Sequence, residues 1–506
     1  MTPQVAPSRP WMPDDSRRAI RGRVLVRTRD ERDHIPHRAD VAAGAATAAS
    51  RLHEPSIDRA LARSSPSVRV TRVYHAAKNL GELGQRHRGY DRDEQELGLS
   101  RTFHVEIAPD ASVLGMVDRL RDLDAVEMAS PVYLADCPFA APPAAAANGA
   151  GSEHGDPQWG HRMIASSEAL RREAGDPAVI LAVIDSGVAD IVELRGRCRT
   201  GMDVVDLGSA ELSRGLHLLG DLSRRDHDTH DDMGHGTACA SIIAARGVAM
   251  PPGVAGLAPV LPLRVLAAAL VADRSTPTAI GCLPDIDCGF KFAVDLGARV
   301  LNLSFGTPET ALREGDPVPH TEMVEYALRR GCVLVAASGN SGDHTRYFPA
   351  AAPGVIAVGA VDSTRTPARF TTRGDHVALS APGVAVCAAG IGGDVVTCSG
   401  TSFAAPFVAG AAALVLAAAN RRGVPLSPYT VRDLLVRSAQ RFAEHADATG
   451  CGKGILDIAA ALAAVDRWST VFDDEVGPET SAVVAGSRLP RSNVRPTHPG
   501  GSHGTV

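Results

Sequence analysis

From residue 156 onward, continuous apolar runs alternate with helical segments, and that alternation limits the fold more than any other feature of the chain. The runs at 179–184, 260–266, 300–304, 333–337 and 355–361 are dominated by Val, Ile, Leu and Ala, without a regular polar alternate. A strand apolar on both sides is one covered on both sides, as in a parallel sheet whose crossovers are helices. Segments 236–245, 284–296, 321–330 and 403–419 have the length and spacing of those helices. The expected fold class is α/β, a doubly wound, mostly parallel sheet with helices on both faces, spanning 153–466.

The chain before it reads differently. Short alternating strands at 23–27, 68–74, 102–108 and 126–134, the last broken at Pro131, surround a helical stretch at 112–123. They suggest a small α+β domain over 19–136. Residues 137–152 are Pro, Ala and Gly with few anchors, a linker and a natural place for cleavage. Residues 1–18 and 467–506 are polar, Pro-rich and aperiodic, and disorder is expected in both.

Several classes are excluded on bulk grounds. A net charge of −6 without a basic stripe gives no nucleic-acid footprint. No membrane span is expected, since the run at 403–419 is mostly Ala and stops at Asn420-Arg421-Arg422. Residues 1–18 lack the apolar core of a secretory signal, so a cytoplasmic location is expected; a mis-assigned start or another export route is the alternative. Nine cysteines in so long a chain do not make a disulfide scaffold, although Cys387 with Cys398, and Cys282 with Cys288, are spaced to pair.

Four polar residues stand where strands end or helices begin. Ser402 follows Ser399-Gly400-Thr401 and opens the apolar run, where free backbone N–H groups and the helix dipole converge. Alone it would be a helix cap. Asp185 ends the run at 179–184, His235 lies in Gly234-His235-Gly236-Thr237, and Asn340 lies in a Gly-bounded turn after 333–337. Singly these are turn or structural residues. Together they form a nucleophile, a base, an acid that orients the base, and an amide able to bind a developing oxyanion.

The segments Asp185-Ser186-Gly187, Gly234-His235-Gly236-Thr237, Ala337-Ser338-Gly339-Asn340 and Gly400-Thr401-Ser402-Phe403-Ala404-Ala405-Pro406, in that order, resemble the subtilisin-like serine peptidases (subtilases, peptidase family S8). So do the stretches at 156–160, 253–259, 301–306, 348–354 and 381–383. The resemblance implies a serine endopeptidase with Asp185, His235 and Ser402 as the triad and Asn340 in the oxyanion hole. It places Ser304, Phe305, Gly306, Ala337, Ser338 and Gly339 around the pocket for the residue before the scissile bond. The uncharged walls imply an apolar or broad preference, and Asp343 a basic one if it reaches the pocket. The same resemblance implies a propeptide over 19–136, self-processing between about 135 and 156, protein or peptide substrates, a monomer, and no cofactor for the chemistry. Structural calcium is common in the family, and no loop is assigned to it; no metal ligands are named. The run His227 to Asp232 is read as a polar loop rather than a metal site.

Other readings fit less well. An α/β-hydrolase esterase needs its acid and histidine after the serine, and too little chain follows Ser402. No His-Glu-x-x-His motif supports a metalloprotease. A catalytically silent binding module would have lost a triad member. A processing protease dedicated to one partner remains open.

Overall fold

The computed structural model describes residues 4–5, 19–32, 34–77, 89–137, 156–207, 216–222, 226–271 and 277–475. Apart from Gln4–Val5 and 467–475, the two segments expected to be disordered lie outside them, as does the linker beyond Cys137. The chain divides into a compact unit of residues 1–465 and a second of 466–506.

The central feature is a seven-stranded, wholly parallel sheet. Its order is Val377–Pro382, Ile356–Val361, Val333–Ala337, Ala298–Leu303, Ile180–Asp185, Val260–Arg264 and Met202–Asp203. The chain leaves Ile180–Asp185 toward Val260–Arg264 on one side and returns to Ala298–Leu303 on the other. The crevice at such a switch point, outside the carboxyl ends of the strands, is where α/β proteins hold ligands. Helices His235–Ala244 and Thr401–Arg421 cover one face, with Ile242, Ile243, Val408 and Leu414 fully buried between them and the sheet. Helices Leu283–Asp295 and Thr321–Arg329 cover the other through Ile286, Phe290, Met323 and Tyr326. The helix Thr401–Arg421 is the one described helix long and apolar enough to cross a membrane, and its residues up to Ala419 lie buried in the core.

The N-terminal domain carries its own core, built from Val24, Val26, Ile57, Leu61, Phe103, Val105, Val117 and Leu120. Strands Val68–Arg72, Thr102–Ile107, Ala19–Thr28 and Val126–Cys137 form an antiparallel sheet. Contrary to the sequence expectation, Val126–Cys137 is not broken at Pro131. Pro131 pairs with Val24 of the neighbouring strand, and pairing on the opposite side begins only at Leu134. The missing N–H therefore interrupts no ladder there.

The end of that strand crosses into the next domain. Leu134, Ala135, Asp136 and Cys137 pair antiparallel with Cys282, Gly281, Ile280 and Ala279. The sheet then continues through Ala267–Val271 to Leu216–Leu219 and Gln4–Val5. The hairpin of Ala267–Val271 and Thr278–Cys282 carried no readable signal, because its Ala- and Gly-rich strands have no apolar alternation. The helix Ile458–Glu475 runs past residue 466, where the sequence suggested the folded part would end.

The eight cysteines whose side chains are described are all thiols. Across the hairpin Val386–Ala389 and Val395–Cys398, Cys387 stands opposite Thr397 and Cys398 opposite Val386, so the two are not directly paired. Cys288 donates to the carbonyl of Val73, and Cys282 is packed among Leu134, Ile280 and Val132.

Candidate active site

Asp185 is the last residue of the central strand and is fully buried. Its Oδ1 lies 2.7 Å from His235 Nδ1 and also accepts the Ser186 N–H at 2.7 Å. With Nδ1 bound to the carboxylate, Nε2 of the neutral ring is left as the proton acceptor. His235 is the first residue of helix His235–Ala244. Gly236 permits the approach: a Cβ there would fall 2.1 Å from the Gly187 carbonyl and 3.1 Å from Asp185 Cβ.

One residue holds this pair together that the sequence did not single out as functional. Asp231, fully buried, accepts from Ser186 Oγ at 2.9 Å, the N–H groups of Met233, Gly234 and Thr237 at 2.8–2.9 Å, and Thr237 Oγ1 at 2.7 Å. Ser186 Oγ in turn accepts from Gly236 N–H at 3.0 Å. A single carboxylate thus fastens the loop before His235 to the residue after Asp185. The signal was available as an acidic residue four positions before the histidine, but it was hidden in the acidic run at 226–232.

Ser402 is the second residue of the helix Thr401–Arg421, and the cap position belongs to Gly400, which makes no side-chain cap. The simple capping reading of Ser402 therefore fails. Its Oγ donates to the Ser304 carbonyl at 3.1 Å, and Ser304 Oγ donates back to the Ser402 carbonyl at 2.8 Å. The Phe403 ring stands 5.3 Å from the His235 ring, centroid to centroid, bringing the start of this helix against the imidazole. Cys239 Sγ donates to the Ser402 carbonyl at 3.4 Å, which makes it a buried packing residue beneath the site.

Asn340 faces this helix start. Its Oδ1 accepts both the N–H and the hydroxyl of Thr401, each at 2.9 Å. A backbone N–H can only donate, so the atom facing it is the amide oxygen and the NH₂ points the other way. Thr401 Oγ1 also accepts the Gly339 N–H at 3.2 Å. Thr401 thus orients the amide, a role invisible in a residue read only as part of the serine turn.

The six expected substrate-pocket residues lie at two adjacent strand ends beside Ser402. What they present differs from the expectation. Phe305 is 3% exposed, its ring edge-on to His320 at 5.7 Å, so it belongs to the core rather than to an open wall. Ser304 is fully buried and bonded to Ser402 and Asn302, and Ser338 Oγ donates to the Thr372 carbonyl. These side chains are turned to the protein, so the segments offer a ligand mainly backbone groups. Asp343 is exposed and accepts from Ser341 and Thr345; the Ser341 hydroxyl, then the Thr345 N–H, holds its carboxyl below the usual range. Its carboxylate serves its own turn, so nothing supports a basic preference.

Among the described residues, one group gathers three side chains able to ligate a metal: Asp185, His235 and Cys239. The Asp185–His235 hydrogen bond and the Cys239 contact to Ser402 already engage it. In the run at 227–232, Asp231 is used by the His235 loop, and Asp232 contacts the buried Arg264 at 3.2 Å.

A serine beside an imidazole-carboxylate pair, on one parallel sheet and in the chain order Asp, His, Ser, defines an α/β serine hydrolase of the subtilisin type. Comparison with known proteins agrees. The model described as the Subtilase family matches residues 176–454, and the chain belongs to that family. The thermophilic serine proteinase of Bacillus sp. (strain AK1) is 36% identical over 273 residues, covering 53% of this chain and 59% of that protein. Subtilisin DY of Bacillus licheniformis is 33% identical over 283 residues, covering 54% of this chain and 95% of its own. The chain therefore spans about three fifths of the first relative's length and nearly all of the second. A solved protease from Pseudoalteromonas arctica PAMC 21717 aligns with TM-score 0.51 at 25% identity, covering 61% of this chain and 97% of that one. The matched region is a subtilisin-like serine peptidase domain.

Proposed function

We propose that the chain is a serine endopeptidase made as a self-processed zymogen. The buried 2.7 Å contact of Asp185 with His235, on the serine's side of the sheet, carries this reading. Ser402 Oγ attacks the substrate carbonyl while His235 Nε2 takes its proton. The oxyanion is bound by the Ser402 N–H and the Asn340 amide, which Thr401 has already oriented. The tetrahedral adduct collapses as His235 returns the proton to the departing amine, leaving an acyl-enzyme. A water, deprotonated by His235, then releases the acid. Asp185 keeps the imidazole in its tautomer and stabilises the imidazolium. The nucleophile, base and oxyanion donors all belong to this chain, so these steps draw on no cofactor.

The zymogen reading rests on the strand Val126–Cys137. Its last four residues add to the edge of Thr278–Cys282 as an extended peptide would, and the chain then continues into the Ala/Pro/Gly linker. The test is intact mass and N-terminal sequencing of wild type beside Ser402→Ala. Trimming within 138–155 in wild type alone supports self-processing. Equal trimming in both assigns the cut to another protease. If neither is trimmed and a fluorophosphonate does not label wild-type Ser402, the binding-module reading gains. Thermal melts with and without a calcium chelator test the structural calcium that the family resemblance implies.

A further inference from the structure

The slot beside Ser402 lies between the strand-end segments 304–306 and 337–339. Ser304 exchanges two hydrogen bonds with Ser402, and Gly339 donates to the neighbouring Thr401. A peptide whose carbonyl carbon meets Ser402 Oγ, and whose oxygen meets Asn340, must send the side chain of its attacked residue into this slot. That placement rests on the peptidase reading above.

Tyr347 reaches the same slot from within the chain. Strand Tyr347–Phe348 pairs antiparallel with Thr307–Pro308, the residues directly after Gly306. A Cβ built on Gly306 would fall 3.2 Å from Tyr347 Cβ and 3.3 Å from its Cδ1. A Cβ built on Gly339 would fall 2.5 Å from Tyr347 Cδ2 and 2.7 Å from its Cε2. One ring therefore lies against both glycines, one edge toward each wall. The two glycines make room for that ring, and little depth remains for a second side chain.

We propose that Tyr347 determines specificity by filling this slot, so that the residue before the scissile bond must be small: Gly, Ala or Ser. The substrate class is extended, Ala/Gly-rich protein segments. The chain's own linker has that composition, with eleven of the eighteen residues at 138–155 being Ala, Gly or Ser. Phe139 is the one bulky apolar residue among them and would be passed over.

The test uses processed wild type, Tyr347→Gly and Tyr347→Phe on Ala-Ala-Pro-X p-nitroanilides with X as Ala, Leu or Phe. Wild type should favour Ala over Phe in kcat/KM by roughly tenfold or more, and Tyr347→Gly should lower that ratio by roughly 10–100-fold. Tyr347→Phe, which keeps the ring, should keep the wild-type order. Wild type that cleaves Phe as well as Ala, or a Tyr347→Gly enzyme with an unchanged ratio, overturns the proposal. If Tyr347→Gly does not fold, the residue before the self-cleavage point decides, and a bulky one there overturns it. Ser402 labelled by a fluorophosphonate together with a preference for Phe sinks only the role of Tyr347. No label and no hydrolysis of any peptide sink the peptidase reading itself.

Discussion

Beside the triad, the buried Asp231 carboxylate is bonded within the catalytic domain; at the junction with the N-terminal domain, buried charges are paired across it. Asp231 takes its hydrogen bonds from Ser186, Met233, Gly234 and Thr237, all of the same domain. Arg38 of the N-terminal domain instead reaches Asp285 and Asp206, each at 2.7 Å, with its own side chain and that of Asp285 nearly fully buried. Buried Lys291 bridges Glu94 of the N-terminal domain and Asp295 of its own helix, both at 2.6 Å. Farther out, Arg329 and Arg330 meet Asp91, Asp93 and Glu96 at the solvent-exposed rim. The first network uses residues of the catalytic domain alone. The second joins charges of the two domains to one another. Beside these charges the junction is apolar: Val73, Tyr74, Leu97 and Leu99 share one buried cluster with Ile286 and Phe290, and Ile20, Val132 and Leu134 share another with Val205, Leu218 and Ile280.

That contrast can be broken at several points. The largest expected effect is Arg38→Ala in the uncleaved Ser402→Ala chain, which leaves Asp285 buried without its cation and should cost about 3–5 kcal/mol, read by chemical denaturation. If the loss is under about 1 kcal/mol, the junction charge is solvated and the contrast fails.

Next is Asn340→Ala. It should lower kcat by about 10²–10³-fold with KM little changed, the size known for the corresponding donor of a subtilisin. A fall confined to KM would remove Asn340 from the oxyanion site.

Asp231→Asn comes third. The substituted amide cannot accept at both ends, so either Thr237 or the Ser186–Met233–Gly234 donors lose their partner. Displacing His235 in this way should reduce kcat per labelled active site by roughly 10–100-fold. A normal kcat with fewer labelled sites would mean that Asp231 matters only for folding.

The fourth concerns pH. Burial pushes the His161 imidazole down to about 4, against its ordinary 6.5, where it sits by Ser166 and Phe407. The folded state therefore keeps it neutral while the unfolded chain protonates it. Its contribution to stability is full above pH 6.5 and is lost as pH falls toward 4. Between pH 7.5 and 5 the loss should be about 2 kcal/mol, and His161→Gln should remove most of it. A variant with the same pH slope as wild type would assign acid sensitivity elsewhere. The smallest effect is Arg329→Ala at the rim, within about 1 kcal/mol and fading with added salt.

The parallel α/β architecture was legible in the residues alone, as was the placing of Asp185, His235, Asn340 and Ser402 at strand ends and helix starts. These are local signals, since a strand covered on both faces must be apolar throughout, and a reactive group must sit where a strand or helix ends. Other features emerged only from packing. Pro131 passes through a strand because its missing N–H meets an unpaired edge. The hairpin at 267–282 is written in Ala and Gly, residues that any packed surface accepts and no periodicity marks. Phe305 turned into the core toward His320, and Tyr347 turned into the slot between Gly306 and Gly339. Asp231 became a fastener once the Asp185 strand and the His235 helix met around it. Each depends on which partner arrives from far along the chain, and residues dozens of positions apart carry no mutual signal until the fold brings them into contact.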